Sequence, residues 1–130
     1  MKLSAITLDC ADPLVLAAFY QEATGFAPHP KSDGEFAGLS REDGFFLGFQ
    51  RVDGYRAPGW PGQEVPQQLH IDFEVEDFDE AETWLLGLGA SKPEYQPDAD
   101  RFRVLLDPAG HPFCLVNSVR TRSAAFSETL

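Results

Sequence analysis

Between Ala5 and Cys10 the residues alternate, with apolar Ile6, Leu8 and Cys10 set against Ala5, Thr7 and Asp9. Between His70 and Val75 the pattern returns, with Ile71, Phe73 and Val75 set against His70, Asp72 and Glu74. Period-two alternation predicts strands buried on one face. Each run then gives way to a longer period. Leu16, Phe19, Tyr20 and Ala23 form one apolar stripe, and Ala81, Trp84, Leu85 and Leu88 form another. That spacing predicts two helices, each packed along one side. Asp12 or its turn is placed to cap the first helix, and Pro13 suits its first position. Asp77 begins the second, with Glu80 and Glu82 near its positive end. Gly25 stops the first helix, and Gly87 with Gly89 stops the second.

The two segments are one pattern used twice. Shifted by 65 residues, the stretch from Ala5 falls on the stretch from His70: Ile6 meets Ile71, Leu8 meets Phe73, Asp12 meets Asp77, Phe19 meets Trp84. Hairpin material follows each helix. Asp43-Gly44 separates two apolar runs in the first half, and Asp107-Pro108-Ala109-Gly110 does so in the second, both turn-forming sequences. The stretch 92–96 is a candidate for one more strand, broken by Pro93 and Pro97. The predicted fold class is α+β, with tandem βαβββ modules. Residues 1–120 are expected to form a single domain: module one over 1–52, an irregular Pro/Gly-rich linker over 53–67 that doubles as a lid, and module two over 68–119. Residues 121–130 read as a tail.

Composition narrows the partners. The chain of 130 residues carries 21 acids against 10 bases, a net charge of −11. Phosphate backbones need clustered Lys and Arg, so no nucleic-acid partner is expected. An acidic cleft concentrates cations instead. No apolar run is long enough to span a bilayer, and no membrane association is expected. The N-terminus lacks a secretory pattern. The two cysteines, Cys10 and Cys114, form no CxxC. Sparse, separated thiols fit a reducing cytoplasm.

Three stretches carry a resemblance to a known family: "LDCADPLVLAAFYQEATGF", "HIDFEVEDFDEAETWLLGLGA" and "LLDPAGHPFCLV". They resemble the vicinal oxygen chelate superfamily, which includes glyoxalase I, bleomycin-resistance proteins and extradiol dioxygenases, over about residues 3–119. The first looks like that superfamily's strand–Asp–helix opening, and the last like its closing "DP-x-G-N-x-x-E-L" hairpin. The resemblance implies two βαβββ modules pairing their sheets into a partly open β-barrel cup, with the helices outside. It also implies a metal held by the first and last strands of each module. Here those positions carry Ala5, Gly48 (Phe49 if the alignment slips by one), His70, and Cys114 where the pattern has Glu. Alanine and glycine donate no lone pair. No metal is therefore expected. If a divalent ion such as Zn, Fe, Mn or Ni does bind, His70 with Cys114, Asp72 or Glu74 would hold it.

The alternation gives a cup lining of Thr7, Asp9, His70, Asp72, Glu74 and Cys114, then Val116 and Ser118. Phe49 and Trp60 are aromatic candidates beside it. Trp60 stands out because it sits in the linker between Gly59 and Pro61. His70 has a second reading as an ordinary polar residue on a wet sheet face, and Cys114 one as a small core hydrophobe. His29, between two prolines, reads as loop, and His111 as structural. Aromatic surface beside carboxylates suits a planar or cationic ligand. The first functional expectation is a glyoxalase-like protein binding a small aromatic or cationic molecule without the standard metal centre, in a sequestration or resistance role. The alternative is an enzyme, a lyase, isomerase or dioxygenase acting on a small carbonyl or phenolic metabolite with His70 as its catalytic group. The resemblance further implies a homodimer.

Overall fold

The computed structural model describes residues 1–117. Ser118 and the tail over 121–130, both given roles above, lie outside the described residues. The chain divides into two compact units, Met1–Ala57 and Pro58–Leu130, with the break inside the Pro/Gly-rich segment.

The first unit runs β1 (Ala5–Cys10), α1 (Pro13–Thr24), β2 (Ala27–Pro28), β3 (Phe36–Ser40) and β4 (Phe46–Arg51), which is βαβββ. Its sheet has the order β1-β4-β3-β2, and β1 and β4 are parallel neighbours. Helix α1 forms where the apolar stripe predicts it. Asp12 caps it by accepting from the Val15 amide at 3.3 Å, Pro13 opens it, and Gly25 closes it at φ 74°. That positive φ is the reason a glycine stands there. The stripe buries Leu16, Phe19 and Tyr20. The Tyr20 ring stacks on Phe49 at 5.7 Å, and Phe19 meets Tyr20 edge-on at 4.9 Å. Leu8, Cys10, Ala37, Leu39, Leu47 and Phe49 complete this core.

The second unit runs β5 (Ile71–Glu74), α2 (Phe78–Leu88), β6 (Phe102–Leu106) and β7 (Pro112–Val116). Its sheet order is β5-β7-β6, with β5 and β7 parallel. This repeats β1-β4-β3, so the internal repeat extends to strand pairing. Strand β7 is buried at all five positions, as expected of a central strand covered on both sides. Phe113 and Leu115 point one way, and Phe113 meets Phe73 edge-on at 5.8 Å. Cys114 and Val116 point the other way and pack with Phe102 and Val104.

The second unit departs from the sequence reading in two places. The stretch 92–96 is not a strand. Only Ser91 bridges to Leu106, because Pro93 and Pro97 cannot donate to a ladder. The Gln96 side chain stands in for the missing strand: its Nε2 donates to the Val104 carbonyl at 2.9 Å, and its Oε1 accepts from the Val104 amide at 2.9 Å. The second departure is in α2. Asp77 caps it and Gly89 ends it, with Gly87 inside the last turn. Of the predicted stripe, however, Leu85 is buried while Trp84 is half exposed. Leu85 stands where α1 has Tyr20, and an aliphatic side chain offers no ring for Trp84 to pack edge-on. A charged side chain ties α2 to β6 instead. Arg103 reaches Asp79 at 2.6 Å and Glu82 at 3.6 Å, and its guanidinium lies 5.3 Å from the Phe78 ring centre. No helix among the described residues is long and apolar enough to cross a membrane.

Candidate functional site

The second unit gathers most of the residues singled out above. Parallel register sets Asp72 beside Cys114 and Glu74 beside Val116. Side chains paired in a parallel ladder share a face, so both carboxylates stand on the face away from Phe113 and Leu115. His70 enters that face just ahead of β5. Its Nε2 lies 3.4 Å from the Asp72 carboxylate. One donor atom from each of His70, Asp72 and Cys114 falls within 4.8 Å of the others. Trp60 packs against Phe102, Val104, Cys114 and Val116, and its indole lies 5.7 Å from the Tyr95 ring. A polar trio thus borders an apolar wall roofed by one indole.

The trio is graded in exposure. Asp72 and His70 keep 35% and 26% of their side-chain surface open, while Cys114 is 2% exposed. Burial pushes the Cys114 thiol up to about 12, and the charge of Asp72 and its hydrogen bond with that carboxylate push the same way. Cys114 is therefore a protonated donor to Asp72 rather than a nucleophile, since a thiolate needs a positive surrounding.

In the first unit the equivalent pair is Thr7 beside Gly48. Thr7 and Asp9 are exposed on that open face, where the alternation puts them. Phe49 is the correction. It pairs with Leu8, is wholly buried, and stacks on Tyr20. It therefore belongs to the core under α1, and Gly48 is the residue that matches Cys114. Sequence reasoning also passed over Phe36 and Phe46. A signal for them exists, since Phe-x-Gly occurs in both β3 and β4 and places an aromatic and a gap on one face. The two rings lie parallel within 6°, their centres 6.2 Å apart. His111 is structural: its amide donates to buried Asp107, which shapes the β6–β7 turn.

A family model described as a glyoxalase-like domain matches residues 5–116. The chain belongs to the glyoxalase-like family. It thereby falls within the vicinal oxygen chelate superfamily, and solved structures agree on the fold. A glyoxalase/bleomycin resistance protein/dioxygenase family enzyme from Burkholderia phytofirmans PsJN matches 90% of this chain and 98% of its own, at 22% identity and a TM-score of 0.66. The oxidase ChaP-H2 matches 91% and 94%, at 18% identity and a TM-score of 0.62. A bleomycin-binding protein from Streptomyces verticillus, solved with copper(II)-bleomycin, matches 91% and 97%, at 19% identity and a TM-score of 0.51. No curated protein matches the chain.

Glyoxalase-like relatives often hold a metal, and the residues here do not fit the four-donor set. Ala5 and Gly48 supply no donor atom. A side chain at Gly48 would start 2.9 Å from the Thr7 hydroxyl and 2.8 Å from the Phe36 ring, so the space for a ligand there is filled. The second unit supplies His70, Asp72 and Cys114, of which the thiol keeps its proton. Metals bind thiolates, so coordination would first have to displace that proton.

Proposed function

We propose that this glyoxalase-like chain binds a planar cationic or aromatic small molecule on the open face of its second sheet, in a sequestering role and without the family's standard metal centre. One observation carries the reading. The strand register that sets Asp72 and Cys114 together beside His70 also sets that trio against the wall that Trp60 packs on, while Ala5 and Gly48, which match His70 and Cys114, supply no donor atom. Asp72 and Glu74 offer negative charge to a cation, and Trp60 offers it a π face. His70 supplies a hydrogen bond that orients the ligand. The bleomycin-binding neighbour is a member of the same fold that binds a small molecule. A homodimer in the cytoplasm belongs to the same proposal.

The test pairs metal analysis with binding. Untagged protein and its His70→Ala variant, purified without chelator, are assayed for metal and titrated with naphthylmethylammonium. The expected result is well below one metal per chain in both, with saturable binding in the parent that His70→Ala and Asp72→Asn weaken. Near-stoichiometric metal in the parent, absent from His70→Ala, would overturn the reading. It would favour the enzyme alternative, which the compact His70–Asp72–Cys114 trio also supports. In that alternative His70 serves acid–base chemistry on a small carbonyl or phenolic substrate.

A further inference from the structure

We propose that the open face of the first sheet carries a second binding site, which stacks a planar aromatic carboxylate on Phe36 and Phe46 and pairs its anion with Lys31. The site goes beyond the second-sheet reading and shares no residue with it. It begins with the two Phe-x-Gly steps. Antiparallel register sets Gly38 opposite Gly48, with Phe36 and Phe46 at diagonal positions on the same face. A side chain on Gly38 would start 1.9 Å from the Phe46 ring, and one on Gly48 would start 2.8 Å from the Phe36 ring. The glycines thus make the room into which the rings fold. A pocket of about 400 Å³ opens at this platform, bounded on its far side by the loop that follows β2. Phe36 keeps 39% of its surface exposed.

In the second unit a linker side chain covers part of the matching face. There the opposed pair is Val104 and Cys114, and Trp60 packs against the cluster to which both belong. The first unit has glycines at the matching positions and a pocket beside its rings. An apolar platform with a pocket beside its rings is suited to an added flat ring, since offset stacking adds to the burial of both faces.

The loop supplies the polar end. His29 Nδ1 accepts from the Lys31 amide at 3.1 Å, which leaves Nε2 as the ring's N–H donor. Ser32 Oγ accepts from the Gly38 amide at 3.1 Å. Asp33 Oδ1 accepts from the amides of Phe36 and Glu35 at 3.0 and 2.8 Å, and these hold its carboxyl below the usual carboxylate range. Of the loop's two acids, Asp33 is thus engaged by backbone, and Glu35 lies 3.4 Å from the Arg51 guanidinium. The Lys31 ammonium makes no ion pair among the described residues. Beside the ionised Asp33 the loop presents the Lys31 ammonium and the His29 N–H, which match a carboxylate on an aromatic ring.

The test titrates 1-naphthoate into the full chain by calorimetry, alongside naphthylmethylammonium (same ring, opposite charge) and cyclohexanecarboxylate (same charge, no aromatic ring). Saturable naphthoate binding is expected, weakened roughly five- to tenfold by Phe36→Ala and roughly two- to fivefold by Lys31→Gln. His70→Ala is expected to leave it unchanged, which separates this site from the second-sheet one. Circular dichroism confirms that the variants fold, and Lys31→Gln tests the site without touching the rings. Three results would each overturn the proposal: no saturable naphthoate binding, equal affinity for cyclohexanecarboxylate, or naphthoate affinity unchanged in both Phe36→Ala and Lys31→Gln.

Discussion

At the residue scale, Cys114 shows how burial and one neighbour set the chemistry of a side chain. Burial and the neighbouring Asp72 raise its thiol from an ordinary 9.0 to about 12 in the folded chain. The unfolded chain gives up this proton near its ordinary value, whereas the folded chain keeps it. Stability from this group is therefore complete below about pH 9 and is lost as pH climbs towards 12. The slope approaches about 1 kcal/mol per pH unit in that window. Urea unfolding at pH 8, 9 and 10 should show the parent losing about 1 kcal/mol more than Cys114→Ala over the range. The comparison of slopes cancels other titrating groups and the cavity the variant leaves. Parallel slopes would mean that the thiol is neither buried nor set against the carboxylate in the folded chain. Much of this neighbourhood was legible in the sequence. Alternation put His70, Asp72 and Glu74 on one face, and the family resemblance put Cys114 beside them. Phe49 was misplaced because Gly48 left the alternation in β4 without a side chain to anchor it. Only the pairing of Thr7 with Gly48 fixes which residue faces out.

At the element scale, both helices and the strands flanking them follow from periodicity and caps, because burial on one side writes itself into the sequence. The edge of β6 does not follow, since a side chain there does the work of backbone. Gln96 satisfies both the amide and the carbonyl of Val104. No period reveals a hydrogen bond of that kind, and the prolines show only that a regular strand fails. Gln96→Ala should leave both backbone groups unpartnered at a half-buried edge, at a cost of roughly 1–3 kcal/mol. Amide exchange at Val104 should quicken in the variant, a local readout that general destabilisation alone does not give if the β5–β7 amides stay protected. Unchanged exchange at Val104 would show that another group guards the edge.

At the scale of the whole molecule, two copies of one topology share their strand pairing and differ on their open faces. The helix-side positions are held by packing, Phe49 on Tyr20 in one unit and Phe73 on Phe113 in the other. The open faces differ: one carries donors and an indole, the other glycines and phenyl rings. Over both lies a net charge of −11. A charge excess of that size should draw a cation to the second-sheet face from beyond contact distance, and salt screens such a field over about 10 Å at 0.1 M. Affinity for naphthylmethylammonium should therefore fall roughly three- to tenfold between 20 and 300 mM NaCl, mostly through slower association. The double variant Asp72→Asn with Glu74→Gln should bind more weakly and respond less to salt, because it removes the charges nearest the ligand. A parent affinity indifferent to salt would assign the binding to aromatic contact at Trp60 alone, and would leave the acidic excess to solubility rather than to ligand capture.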